Sequence, residues 1–542
     1  MPAPVPLSVV VITKNEEGRL ADCLESARWA AELIVVDDGS TDQTVAIARR
    51  YTDRVVQRAM DIEGVHRNFA YGLATQEWIF SLDADERFTP ELRDEIAALL
   101  ATNPPLNGYT VPRRNYLGPR WLQHGGHYPS PQLKLFRKGH FRYEAAEVHP
   151  RAFLDTDTNQ LHSDLIHYSY RDLEDFVGKL NRQTTLETRK WLRDQRPMNV
   201  GTGLWRTVDR FARAYWAKEG RRDGILGFIM AILGGMYQFL SFAKYWTARA
   251  VKPEAPASGV TPETGDGPVA ARQTITAVVL TKNEAAKIRQ CLEAIRWVDE
   301  IIIVDGESTD GTPDICREYG ARVITHPFGG DFGEERNLGN AHATKDWILQ
   351  LDADDVVTAG FRRAAEQMLR IGTSHAAFRF RRTNRFLGHW MRFGGWDHYS
   401  LHLFRRGKAR YQGRVHHALL VDGSIGALKA VVEHYPFDSL EQFVDRQNRY
   451  TTLEAKELVD LRGAFPPREL RYQIMVKPAK LFWKLYVKKQ GFRDGMYGFM
   501  FSGLYSFVHF IKWAKVWERL TNLEARATIP TTTGQPQPAG ER

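Results

Sequence analysis

The chain has 542 residues, 43% hydrophobic and 26% charged, a globular composition that excludes a disordered or fibrous protein and suggests about three or four domains. Its net charge of +9 points to an anionic partner, whether nucleotide phosphate, nucleic acid or a lipid surface. Three cysteines (Cys23, Cys291, Cys316) exclude a disulfide scaffold and fit a reducing compartment, and no zinc-type spacing occurs.

The opening MPAPVPLSVVVITKNEE has no basic stretch ahead of its apolar run, so a secretory signal is not expected. LSVVVI reads as a strand, EGRLADCLESARWA as a helix through Leu20, Leu24 and Ala27, and ELIVVDDG as a second strand. A helix over 41–50, a strand RVVQR, a helix through 68–74 and a strand EWIFSLDAD follow. This alternation predicts an α/β fold with a mostly parallel sheet and helices on both faces. Cys23 and Cys291 fall mid-helix among apolar neighbours and read as small buried hydrophobes.

The pattern then repeats. VVITKNEEGRLADCLESARWAAELIVVDDGSTDQT returns as VVLTKNEAAKIRQCLEAIRWVDEIIIVDGESTDGT, with Thr13, Cys23 and Asp37 matching Thr281, Cys291 and Asp305, 268 positions on. Asp83 matches Asp352, 269 on, and HYSYRDLEDFVGKLNRQTTLE returns as HYPFDSLEQFVDRQNRYTTLE. The expected organisation is two tandem α/β domains (5–180 and 273–447), each followed by a helical segment (181–250 and 448–523). A flexible Pro- and Gly-rich linker is expected over 251–272 and a disordered tail over 524–542.

Ligands of open α/β sheets bind at the carboxyl ends of the strands. Here those ends carry acids: Asp37 and Asp38, then Asp83, Asp85 and Glu86, and in the second copy Asp305, then Asp352, Asp354 and Asp355. An Asp-x-Asp can hold Mg²⁺ or Mn²⁺ that shares its shell with substrate phosphates. One such motif alone is as readily a turn or a helix cap; its return at the same place in both copies favours the metal.

These residues carry a resemblance. TKNE, VDDGSTDQT or VDGESTDGT, HRN or ERN, and LDADE or LDADD resemble family 2 glycosyltransferases of the GT-A type over nearly all of both copies. RRNYLGPRWLQHGG with LKLFRKG, and RRTNRFLGHWMRFGG with LHLFRRG, are similar to the lipopolysaccharide-core β-1,4-glucosyltransferase subgroup. The resemblance implies that Asp37 and Asp305 hold the base or ribose of a nucleoside diphosphate sugar. Thr13, Asn15, Glu16, Thr281, Asn283 and Glu284 would line the same pocket, with Asp38 beside them. Asp83 and Asp85, with Asp352 and Asp354, would position the metal. Arg67 and Arg336 are expected as supplementary cations for the diphosphate, as are Arg113, Arg114, Arg381 and Arg382.

An inverting transfer needs a carboxylate to take the acceptor proton. The subgroup implies one near the Val-His stretch, where this sequence departs: His149 precedes Pro150 and His416 precedes His417. Copy one offers Glu144 and Glu147, opposite Gln412 and Arg414; copy two offers Asp397, opposite Tyr128. His149 and His416 stand as metal ligand, phosphate donor, base or plain structural histidine.

Residues 224–243 carry no charge and 495–511 carry one histidine, long enough for the first to span a bilayer. Basic flanks on both sides, four glycines and Gln238 argue instead for an interfacial helix, with Tyr237, Phe239, Phe242 and Tyr245 at the boundary. A buried helix pair is the alternative. The expected protein is a tandem, metal-dependent, inverting glycosyltransferase, peripheral to the cytosolic membrane face, acting on a lipid-linked or envelope saccharide. A sugar-nucleotide pyrophosphorylase would need a Gly-rich phosphate loop where this chain has TKNEE and TKNEA. One catalytic copy beside a degenerate binding copy is the other alternative, and nothing beyond net charge suggests nucleic acid.

Overall fold

The computed structural model describes residues 4–145, 151–250, 272–413 and 418–527. The linker 251–271 and the tail from 528 lie outside them; the helix Gly495–Ala527 extends into the first residues of the expected tail. The chain divides into two compact units, Met1–Phe242 and Ala243–Arg542.

In the first unit the apolar run Val5–Thr13 pairs in parallel with Ala30–Asp37 on one side and Trp78–Asp83 on the other, and Val55–Gln57 adds to the former. Val9, Val10, Val11, Val35 and Phe80 are fully buried, as expected of central strands covered on both faces. Cys23 and Leu20 of the helix Leu20–Ser26 pack on one face, while Ala70 and Tyr71 of Glu63–Gly72 close the other. The sheet is not parallel throughout, because Gln132–Arg137 joins Trp78–Asp83 antiparallel. A second sheet of the same unit sets Leu165–Tyr170 between Glu86–Phe88 and Arg113–Leu117.

The second unit repeats the arrangement around Ile275–Thr281, flanked by Glu300–Asp305 and Trp347–Asp352. Its longer strands Ala377–Phe386 and Ile425–Phe437 join what are two sheets in the first unit into one of nine strands.

Each unit continues into a helix beginning at a capped position, Asp172 accepting from Asp175 N and Ser439 from Gln442 N. Beyond it lies a helical pair: Val200–Ala212 and a π-helical turn Arg213–Ala217 lead to Gly224–Ala250. Gly220–Ala250 is long and apolar enough to cross a membrane by length and composition, and more than half of its apolar stretch is buried within the protein. The aromatic residues expected at its boundary are mostly covered by protein. Phe239, Phe242 and Tyr245 are buried, and Tyr237 is half-buried. The glycines serve close packing: a Cβ on Gly203 would lie 2.4 Å from the Phe242 ring, and one on Gly227 would lie 1.7 Å from the Gly220 carbonyl oxygen. A sequence reading sees an apolar run with glycines; the partner helix that fills its face is a tertiary fact.

Candidate active site

The carboxyl ends of three adjacent strands form the rim of each site. The register sets Thr13 beside Asp37 and Ile12 beside Asp83, and in copy two Thr281 beside Asp305 and Leu280 beside Asp352. The two acid groups therefore flank the end of one strand in both units. Asp37 is fully buried and caps the next turn, accepting from Ser40 N at 3.0 Å and from the Ser40 hydroxyl. Asp305 does the same with Ser308 N (2.9 Å) and Ser308 Oγ (2.6 Å), and also accepts from Thr281 Oγ1 at 2.9 Å. Thr13 Oγ1, in contrast, is buried without a partner among the described residues.

Asn15 and Asn283 adopt positive φ (53° and 56°), a conformation in which a short amide side chain is favoured among non-glycine residues. Their Oδ1 atoms accept from Thr41 N at 2.8 Å and Thr309 N at 2.7 Å, tying the TKNE turn to the next loop. Burial pushes the Glu16 and Glu284 carboxyls up from their ordinary values. Asp38 accepts from Met60 N at 2.6 Å and pairs with Lys14; copy two has Gly306 at this position.

The Asp-x-Asp groups are held differently in the two copies. Asp83 is met by Lys134 Nζ at 2.8 Å and Arg67 Nη1 at 3.3 Å, and Lys134 also reaches buried Glu86 at 2.7 Å. Partial burial would raise the Asp83 carboxyl, but the two cations outweigh it and hold it well below the usual range. Copy two has His402 in place of Lys134, and there Arg382 bridges Asp352 and Asp355, each at 2.7 Å, while Arg336 reaches Asp352 at 2.5 Å. Again burial is outweighed, by Arg336 and then Arg382, and Asp352 is held low, whereas burial leaves Asp355 raised.

A histidine in each copy, at the head of HYSY and of HYPF, completes the picture, with no role expected for it from sequence. The pairing of Leu165–Tyr170 with Glu86–Phe88 puts His167 opposite Glu86, and that of Ile425–Phe437 with Asp355–Val357 puts His434 opposite Asp355. His167 Nε2 lies 3.5 Å from Asp85, and His434 Nε2 3.3 Å from Asp354. Both rings are oriented through Nδ1 by an asparagine, Asn115 at 2.7 Å and Asn384 at 2.6 Å.

Asp352, Asp354 and His434 offer ligand atoms all within 4.8 Å of one another, a donor set of carboxylate oxygens and imidazole suited to Mn²⁺ or Mg²⁺. Among the described residues no other such group of three converges so closely, including Asp83 and Asp85 of copy one.

The remaining expected residues divide. Arg67, Arg336 and Arg382 stand at the acids, and Arg113 approaches Glu86 at 3.7 Å. Arg114 instead pairs with Asp164 at 2.6 Å, and Arg381 grips Asp397 through both carboxylate oxygens. Asp397 is thus already engaged as an ion pair. Tyr128, at its position in copy one, donates to Asp164 at 3.1 Å. Glu144 accepts from Arg151 N at 3.4 Å, while Glu147, His149 and His416 lie outside the described residues.

A doubly wound sheet with acids on the two strand ends that flank a central strand, and cations facing them, places a ligand-binding rim at the carboxyl ends of the strands. The comparisons give the class. The family model "Glycosyl transferase family 2" matches residues 8–156 and 276–429, more than half the chain, and the protein belongs to that family. It is a glycosyltransferase with two tandem family 2 regions. The Rhizobium meliloti lipopolysaccharide core biosynthesis glycosyltransferase LpsC is 30% identical over 255 residues, 46% of this chain and 94% of that protein. An uncharacterized glycosyltransferase of Rickettsia felis is 27% identical over 272 residues, 46% of this chain and 91% of its own. Among solved structures, the mannosyltransferase PcManGT of Pyrobaculum calidifontis in complex with GDP-Man and Mn²⁺ is 16% identical, covering 46% of this chain and 88% of its own, with a TM-score of 0.28.

Proposed function

We propose that the protein is an inverting glycosyltransferase that moves a hexose from a UDP-sugar to a lipid-linked or cell-envelope saccharide at the cytosolic face of the membrane. The observation that carries the reading is the paired placement of Asp37 with Asp83, and Asp305 with Asp352, on strands flanking the same strand end in both units. Asp37 and Asp305 bind the nucleoside, with Thr13, Asn15, Glu16 and their counterparts Thr281, Asn283 and Glu284 around it. Asp352, Asp354 and His434 hold Mg²⁺ or Mn²⁺ in copy two, and Asp83 and Asp85 are the matching positions of copy one. A bound divalent ion neutralises charge developing on the departing diphosphate. Arg67 and Arg336 add fixed positive charge on the same side. The similarity to LpsC supports an envelope saccharide as acceptor.

A second reading, one metal-dependent copy beside one with an altered role, is favoured by Lys134, whose ammonium lies between Asp83 and Glu86. The test is release of UDP or GDP by the purified chain from a panel of sugar donors, with and without extracted glycolipid acceptor. Acceptor-stimulated release from a UDP-hexose is expected. Release from none of the donors, under conditions where the protein is folded, rules the reading out.

A further inference from the structure

The helical arm ahead of the second long helix presents a face that sugar transfer does not use. Between Pro467 and Lys488 it buries Leu470 and Ile474 and exposes Tyr472, Met475, Val476, Ala479 and Trp483. The segment runs as a π-helical turn Tyr472–Val476 and an α-helix Lys477–Trp483, along which these five exposed residues recur at offsets of three, four, seven and eleven. Trp483 is 57% exposed. Arg471, Lys480, Lys484 and Lys488 are exposed along the same stretch, and Lys480 lies 5.2 Å from the centre of the Tyr472 ring. From residue 467 to 493 the sequence has eight lysines and arginines against one acid, Glu469, which is taken by Arg462. Among the described residues, no carboxylate lies within ion-pair distance of Lys480, Lys484 or Lys488.

Copy one has a comparable face. Trp205 matches Val476 and Arg213 matches Lys484, each 271 positions apart, and Trp205 (68%), Val208 and Trp216 are exposed there.

Two features choose the occupant. Lysine is depleted in protein–protein interfaces, so a lysine-rimmed stripe fits a protein partner poorly. Tryptophan and tyrosine over an apolar strip, beside exposed lysines, match the boundary between acyl chains and anionic headgroups. We propose that the Tyr472–Met475–Val476–Trp483 face docks on an anionic phospholipid surface.

The arm is also tied to the acid cluster. Lys489 O accepts from Gly394 N at 2.8 Å, and Trp396 O, two residues on, accepts from Asn384 Nδ2 at 2.5 Å. Asn384 is the residue that orients His434 beside Asp354. A chain docked by this face therefore holds the 391–397 loop at a fixed place relative to both the lipid and the acids. The proposal rests on the membrane part of the proposed function and sharpens it to one surface.

The experiment is co-sedimentation of the full chain with vesicles of phosphatidylcholine alone and of phosphatidylcholine mixed with phosphatidylglycerol. Binding to the mixed vesicles that weakens with salt is expected. Removing three charges in the K480Q/K484Q/K488Q variant should lower partitioning on the order of 10²-fold, and Lys484→Gln alone about fivefold. Trp483→Ala should weaken binding with every charge in place. All these side chains are exposed, so the unfolding transition should not move; the single variants serve if the triple one does not fold. Wild-type protein that stays in solution, or variants that bind as it does, overturns the proposal. A dimer in sedimentation equilibrium that Trp483→Ala dissolves would assign the face to a second molecule and overturn it equally. UDP binding, measured in parallel, is expected to be unchanged in every variant, so its loss would bear on the transfer reading and not on the surface.

Discussion

The two copies place the same acids at the same strand ends and neutralise them by different means. In copy one a lysine from the antiparallel strand Gln132–Arg137 bridges Asp83 and Glu86; in copy two an arginine from Ala377–Phe386 bridges Asp352 and Asp355. Arg382 has a counterpart in copy one, Arg113, 269 positions earlier, but with Lys134 present it stays 3.7 Å from Glu86 and donates to Ser130 O at 3.2 Å. Lysine at 134 and histidine at 402 thus accompany two different placements of the matching arginine. A buried acid pair must be matched by positive charge, yet which side chain supplies it is open to exchange.

The largest effect should come from removing that charge. Lys134→Met leaves buried Glu86 without its closest cation and partly buried Asp83 with Arg67 alone, and is expected to destabilise the first unit by about 3–5 kcal/mol. Arg382→Met should do the same to the second unit, whereas His402→Met should cost less, as denaturant unfolding of each variant will show. Equal losses for Lys134→Met and His402→Met would erase the difference between the copies.

Metal binding sharpens the comparison next. Calorimetric titration with Mn²⁺ should find the tighter site in copy two, abolished by Asp352→Asn and untouched by Asp83→Asn. Transfer dependent on that site should drop on the order of 10²-fold with Asp352→Asn. Lys134→His, which gives copy one the pattern of copy two, should strengthen Mn²⁺ binding there. Two equal sites in the wild-type chain would contradict this.

A feature common to both copies should respond equally. A Cβ on Gly227 or Gly498 would lie 1.7 or 1.8 Å from the carbonyl oxygen of Gly220 or Gly491, so the backbone itself must move. Gly227→Ala and Gly498→Ala are each expected to cost about 1–3 kcal/mol, read as a lower unfolding midpoint of the unit concerned.

The smallest effect is one of pH. Burial, helped by Arg210, lowers the His127 imidazole from 6.5 to about 4, and copy two has Trp396 at this position. The unfolded chain binds a proton near pH 6.5 that the folded state refuses until about pH 4, so stability falls as pH drops through that window. His127→Trp should flatten the pH dependence of the first unit's unfolding between those values; an unchanged slope would show that His127 does not contribute.

Much of this architecture is legible in one dimension. Repetition at 268–269 residues divides the chain, and apolar runs ending in Asp37, Asp83, Asp305 and Asp352 place the acids, because a strand's burial and its end are local properties of sequence. Arg67 and Arg336 could be read as cations for the site because the helix that carries them precedes the acid strand directly. His167 and His434 could not, since they meet Asp85 and Asp354 only through a strand pairing about 80 residues away in the chain. The choice between Lys134 and Arg382 as the bridging cation is likewise a matter of which side chain the folded strands bring to the acids. The apolar helix at 224–250 shows the same limit from the other direction. Hydropathy reports that a face must leave water, and only the packed partner decides that protein covers Phe239 and Phe242 while Trp205 and Trp483, on the shorter arms, remain exposed.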